Sequence, residues 1–329
     1  MRPRLNLSVD RTAHVIAMND GTAKQQASSK DRTSRWIDAM RAQDYDTVWA
    51  ISQEALSERK PEQRDDPTLP YHYRWVWDGR DYHRKHCLVR CYHGLGDTIQ
   101  FARFLPLLGA RAASLKVEVQ PRLLPLLNAV FQKVGHQGIE LVPFDPVRPA
   151  PPSECDMEIT ELDFALRARP ADAPMPYISV SRALLPRSVV GLCYEAGDWD
   201  PARCIPADLL QPLCSLAPCL TLVPEPTSLD VLNPGGCPFD MEITAALVAA
   251  MDLVITTDTM IAHLAGAMGK PTWLLLKAEP DWRWPVGSRH TPWYPSIRIY
   301  SQTVSGDWRG VLAEVWHDLA AVALSAKEL

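Results

Sequence analysis

The sequence predicts an α/β fold in which two Rossmann-like domains face each other across a cleft, preceded by an N-terminal helical hairpin. Strand-type and helix-type periodicity alternate along most of the chain from residue 87 onward. Residues 253–276 read as strand, tight turn, short helix and second strand, the βαβ unit of a parallel sheet. An earlier apolar strand ends on Gly94-Leu95-Gly96, and open α/β sheets bind ligands at such exit turns, beyond the carboxyl ends of their strands.

At 329 residues the chain has length for two domains with real cores. A net charge of −5 gives no basic surplus, so nucleic acid is not an expected partner. No apolar run approaches the roughly 20 residues needed to span a bilayer, and no signal-type segment opens the chain, so a cytoplasmic location is expected. The eight cysteines are too sparse for a disulfide scaffold. Cys87, Cys91 and Cys193 read as buried thiols. With His83, His86 and His93 nearby they match no closed zinc pattern, and no metal site is expected.

Residues 1–33 are polar and aperiodic, which predicts an unstructured leader. Residues 34–80 hold the hairpin and a linker. Trp36, Ile37 and Met40, then Val48, Trp49, Ile51 and Leu56, fall at helical intervals about a break at Gln43-Asp44. This resembles one tetratricopeptide-like unit, but no second copy occurs at a repeat period, so a cap packed on the body is expected. Pro61, Pro67 and Pro70 mark the linker, and the aromatic-rich 71–77 should dock on the domain C-terminal to it.

Residues 81–185 form the first domain. It holds strands at 87–92, 115–120 and 139–142, helices at 98–108 and 122–131, an irregular proline-rich stretch at 143–176 and a hinge near 181–187. Residues 186–329 form the second, with strands at 188–194, 220–223, 253–257 and 273–276 and helices at 207–216 and 244–251. A last helix carries Trp308, Val311, Leu312, Val315, Trp316, Leu319 and Val322 on one stripe.

In the βαβ unit, Asp258 has N-cap chemistry, and Met260, Ile261, Leu264, Ala265 and Met268 recur at helical spacing before Gly269 and Pro271. Thr259 and His263 lie one turn apart on the same face, beside the positive end of the helix, which suits a phosphate or diphosphate. The same residues also read as a helix cap, an ordinary first-turn threonine and a core histidine. Trp282, Trp284, Trp293 and Tyr294 form an aromatic cluster fit for sugar faces or for core contacts.

The run from Asp252 through Asp258-Thr259-Met260-Ile261-Ala262-His263 to Trp273, followed by Asp281-Trp282-Arg283-Trp284 and Pro292-Trp293-Tyr294-Pro295, resembles the donor half of the family 9 glycosyltransferases. These are the ADP-heptose:lipopolysaccharide heptosyltransferase-like proteins, and members fused to tetratricopeptide repeats are the most similar. Gly94-Leu95-Gly96-Asp97-Thr98-Ile99-Gln100-Phe101-Ala102-Arg103 resembles the family's N-terminal motif. The resemblance implies a GT-B fold whose last helix crosses back to the first domain. It also implies an inverting transfer from a nucleotide-diphosphate sugar, ADP-heptose in the family, to a hydroxyl of a glycan, lipid or protein acceptor. No cofactor beyond the nucleotide sugar is expected.

By that resemblance Asp97 acts on the acceptor as the base, and Asp258, Thr259, His263 and Arg203 hold the donor diphosphate. Gly94, Gly96, Trp282 and Trp284 belong to the acceptor side of the cleft. A guanidinium grips two phosphate oxygens at once, although Arg203 also reads as a solvated surface residue. Asp198-Trp199-Asp200 is an Asp-x-Asp of the kind that holds a divalent ion in the other large glycosyltransferase fold. In a chain of two βα domains it reads as a loop pair without metal duty. Met260, where the family commonly has glycine, the short 224–237 loop and His93 depart from the pattern. They favour a rival reading, a non-catalytic scaffold or adaptor that acts through its helical hairpin.

Overall fold

The computed structural model describes residues 23–133, 138–186, 188–197 and 200–325. Helix α1 (Ala23–Arg41) and helix α2 (Tyr45–Glu58) form the expected hairpin, with Asp44 accepting the Thr47 N–H at 3.1 Å to start α2. Residues 1–22 of the expected leader lie outside the described residues. Residues 23–33 are helical, so the first helix begins within the last eleven residues of the expected leader.

The hairpin uses its apolar face on the body. Trp36, Met40, Val48, Ile51 and Leu56 are buried in the main core, and Trp36 meets Trp282 edge-on with ring centres 5.0 Å apart. Arg41 donates to the Pro280 carbonyl at 2.9 Å, and Arg59 pairs with Glu161 at 3.2 Å. The linker docks as expected, with the Val76 and Trp77 N–H groups donating to Glu161.

The first sheet has the order β3-β2-β1-β4 and is parallel throughout. Strand β1 (His86–Arg90) leads into α3 (Leu95–Phe101), which continues through a 3₁₀ turn into α4 (Leu105–Gly109). Pro106 sits in the first turn of α4, where its missing N–H costs little, which divides the single helix expected at 98–108. Strand β2 (Ser114–Val119), α5 (Leu124–Lys133) and β3 (Ile139–Pro143) come next.

The stretch expected to be irregular contains β4 (Cys155–Glu158), beside β1, and α6 (Leu162–Leu166). Cys-Asp-Met-Glu is a poor strand signal, yet all four residues are buried because each carboxylate finds partners. Asp156 lies 3.6 Å from both Arg64 and Arg90 and accepts the Ser153 N–H at 2.7 Å.

The second sheet has the order β6-β5-β7-β8-β9, again all parallel. Its elements are β5 (Val190–Cys193), α7 (Gln211–Cys214), β6 (Cys219–Thr221), α8 (Met241–Ala250), β7 (Leu253–Thr257), α9 (Met260–Ala267), β8 (Thr272–Leu276), β9 (Ile297–Ser301) and α10 (Trp308–Ser325). Residues 207–216 form a 3₁₀ turn and α7 in place of one helix. Strand β9 is a fifth strand beyond those expected.

The apolar stripe of α10 packs on the second domain: Trp308, Val311, Leu312, Val315 and Leu319 share a core with Leu192, Ile205, Ile255 and Leu275. The expected crossover of the last helix to the first domain is therefore not seen, and Trp316 and Val322 stay exposed. The hairpin and the packing of α3 on α9 join the halves instead. Among the described residues, no helix is long and apolar enough to cross a membrane.

Candidate functional site

A cavity of about 450 Å³ opens where the exit turns of β1, β5 and β7 converge. From the first half it is lined by His93, Gly94, Gly96, Asp97 and Arg122. From the second it is lined by Arg203, Asp258, Thr259, His263, Asp281 and Arg283. Leu222, Pro224, Cys237, Pro238 and Phe239 make an apolar wall. Seven of the nine residues expected at the site thus come together.

The other two do not face the cavity. Trp282 and Trp284 are 2% and 0% exposed. Trp282 is wedged between Trp36 and Trp293, and Trp284 lies beneath His263 with ring centres 5.6 Å apart. They form the packing floor of the site, a role the aromatic cluster allowed, and offer no ring face to an acceptor.

The cap of α9 differs from the expected one. Thr259, in extended backbone, accepts the Ile261 N–H at 3.2 Å, so Thr259 and not Asp258 caps the helix. Asp258 instead gives its backbone carbonyl to Arg203, which donates from Nη1 at 2.6 Å. Arg203 is buried against the motif, unlike a solvated surface arginine.

Burial pushes the Asp258 carboxyl up to about 6, helped by the neighbouring Asp281 and opposed by Arg203 and Arg283. An ionised carboxylate repels phosphate, so Asp258 does not hold a diphosphate through its charge. Its contribution to such a site is its hold on Arg203. Of the Asp-x-Asp pair, Asp198 lies outside the described residues, while Asp200 pairs with Lys277 at 2.8 Å.

His263 is a neutral imidazole. Burial, then the charges of Arg283, Arg103 and Arg203, hold it well below the usual histidine range. Its Nδ1 lies 2.9 Å from the Tyr294 hydroxyl, and its ring packs beneath Gly96. It can offer an anion a hydrogen bond but no charge.

Asp97 is held at both oxygens. Oδ2 accepts the Gly94 N–H at 2.9 Å, reaching back from the third helical position to the N-cap, and Oδ1 accepts from Arg283 Nη2 at 2.5 Å. Arg283 also donates to Gln100 at 2.5 Å and to Asp281 at 2.9 Å and lies over Trp282. Sequence reasoning misses this residue. Its signal in the sequence is only its place between Trp282 and Trp284, because the partners that define it lie in the other half. Arg103, 1% exposed, makes a second bridge with its donation to the Trp293 carbonyl at 2.8 Å.

Known structures share this fold. The bacterial iron-containing dodecameric glycosyltransferase TibC from enterotoxigenic E. coli H10407 superposes with a TM-score of 0.50 at 11% identity, over 71% of this chain and 67% of its own. TibC described as a heptosyltransferase in complex with ADP-D-β-D-heptose gives 0.50 at 12% identity, over 70% and 66%. The fold is the GT-B fold of the heptosyltransferase-like proteins.

In sequence, the chain is 27% identical over 292 residues to Protein FlbA of Caulobacter vibrioides, a match covering 74% of this chain. The chain spans 48% of that relative, about half its length. No family model matches. In this GT-B chain the described residues bring together no three His, Cys, Asp or Glu side chains that could share a metal ion.

Proposed function

We propose that the chain is an inverting glycosyltransferase that moves a sugar, heptose by its resemblance, from a nucleotide-diphosphate sugar to a hydroxyl of a glycan, lipid or protein acceptor. One observation carries this reading. Asp97 of the first half and the Arg203–Thr259–His263 group of the second line a single cavity between the carboxyl ends of two parallel sheets.

Transfer needs a proton acceptor for the attacking hydroxyl and neutralisation of the departing diphosphate. Asp97 supplies the first. Its oxygens each keep a second lone pair beyond the Gly94 and Arg283 donors, so a hydroxyl can still approach. Arg203, Arg283, the Thr259 hydroxyl and the positive end of α9 supply the second. The apolar wall from Leu222 to Phe239 fits the nucleobase.

In this mechanism the protein's own cations replace a divalent ion, and donor and acceptor are the only other reactants. The test is calorimetry of the full chain against ADP, UDP, GDP, CDP and ADP-heptose, followed by donor turnover with and without EDTA. Micromolar binding of at least one diphosphate and turnover that survives chelation are expected. Binding of none of them would end the reading. Turnover lost in EDTA and restored by Mn²⁺, Mg²⁺ or iron would end its metal-free form.

A further inference from the structure

His93, which departs from the resembled motif, sits in the exit turn of β1, lines the cavity and is 7% exposed. Its carbonyl is fixed by Gln120, which donates at 2.8 Å. Its Nδ1 lies 2.9 Å from Glu158 Oε1 at the end of β4, at the separation of an ion pair though not of a well-directed hydrogen bond. Glu158 is 1% exposed and accepts from the Tyr92 N–H at 3.1 Å, the Thr160 N–H at 2.7 Å and the Thr160 hydroxyl at 2.5 Å. The opposite ring nitrogen of His93, Nε2, is buried with no hydrogen-bond partner among the described residues. A buried polar group left in this way is costly unless a ligand completes it.

We propose that His93 is a phosphate-binding residue supplied by the acceptor half, with its Nε2–H, oriented by Glu158, donating to an oxygen of the donor's β-phosphate. The inference rests on the proposed donor site. Arg203 and α9 hold the diphosphate from the second half, and the β-phosphate is the one attached to the transferred sugar. The phosphate nearest that sugar is the one that meets the turn carrying Asp97, and His93 belongs to that turn. Glu158 balances the imidazolium while the site is empty, so the charge can be buried without a ligand yet keeps a directed N–H.

The groups facing His93 are Glu158 from β4, Asp97 from α3 and Arg283 from beyond β8. Burial opposes its charge, but Glu158 and then Asp97 outweigh burial and Arg283, and the imidazole is raised above its ordinary value. Below its folded pKa, His93 donates from Nε2. Above it, the ring keeps Nδ1–H toward Glu158 and turns a lone pair toward the phosphate.

Calorimetry with ADP and AMP between pH 6 and 9 tests this on the full chain. Both ligands end in a phosphate with a second pKa of about 6, so the ratio of their affinities cancels the ligands' own titration. The ADP preference should fall roughly tenfold or more as pH rises through the His93 pKa. His93→Gln should weaken ADP by about the same factor, leave AMP unchanged and flatten the pH dependence. Glu158→Gln should move the midpoint to lower pH.

A wild-type ADP preference that stays constant across this range, or equal losses of ADP and AMP in His93→Gln, would overturn the assignment while leaving the donor site standing. The wild-type measurement decides the matter even if neither variant folds. Failure of wild type to bind any nucleoside diphosphate would overturn the donor site itself, and this inference with it.

Discussion

Arg283 Nη2 donates to Asp97 Oδ1 at 2.5 Å, joining residues 186 positions apart and tying the two halves of the fold at the floor of the cleft. The same carboxylate caps its own turn through Gly94. Its position is therefore set by one local and one long-range contact.

That double engagement shapes the test of Asp97 as the base. Asn has one acceptor oxygen for two donors, so Asp97→Asn can keep the Gly94 cap but not the Arg283 contact as well. Stability should fall by about 1 kcal/mol. Nucleoside-diphosphate affinity should hold, and turnover should drop roughly 10²-fold or more. Single-turnover kinetics beside urea unfolding separate these effects. Full turnover in the variant would leave Asp97 a purely structural group.

Gly96 is the point where α3 meets α9. A β-carbon there would stand 2.8 Å from His263 Cδ2 and 3.4 Å from the Met260 Cα. Gly96→Ala should force the helices apart and cost about 1–3 kcal/mol in chemical denaturation. Adding His263→Ala should recover part of that loss, giving a coupling of about 0.5 kcal/mol or more in a double-mutant cycle. Strictly additive costs would mean that the two side chains do not share this space.

The Asp258 carboxyl is raised from its ordinary 3.8 to about 6, so the folded state binds its proton more tightly than the unfolded state does. Stability contributed by this group is greatest below about pH 4 and is lost as pH rises through 6. Asp258→Asn should therefore stabilise the protein at pH 8 by roughly 1–3 kcal/mol and make little difference at pH 4. Urea midpoints at the two values check the sign. An equal effect at both would show that Asp258 is not held as a buried acid.

Local patterning along the chain suffices for the alternation of strand and helix, the hairpin and the two motif turns. These depend on neighbours two to four residues apart, such as Gly94 and Gly96 in one exit turn, or Thr259 and His263 one helical turn apart. Which of Asp258 and Thr259 caps α9 follows from the folded backbone, because both have suitable side chains and the choice depends on the path of the chain. The tertiary structure also revealed β4, whose acidic residues are buried by partners from distant segments, and it turned Trp282 and Trp284 inward against Trp36 and His263. Arg283 on Asp97 and His93 on Glu158 belong with these. A charge pair is defined by distance in space, and linear spacing carries no trace of a partner 65 or 186 residues away.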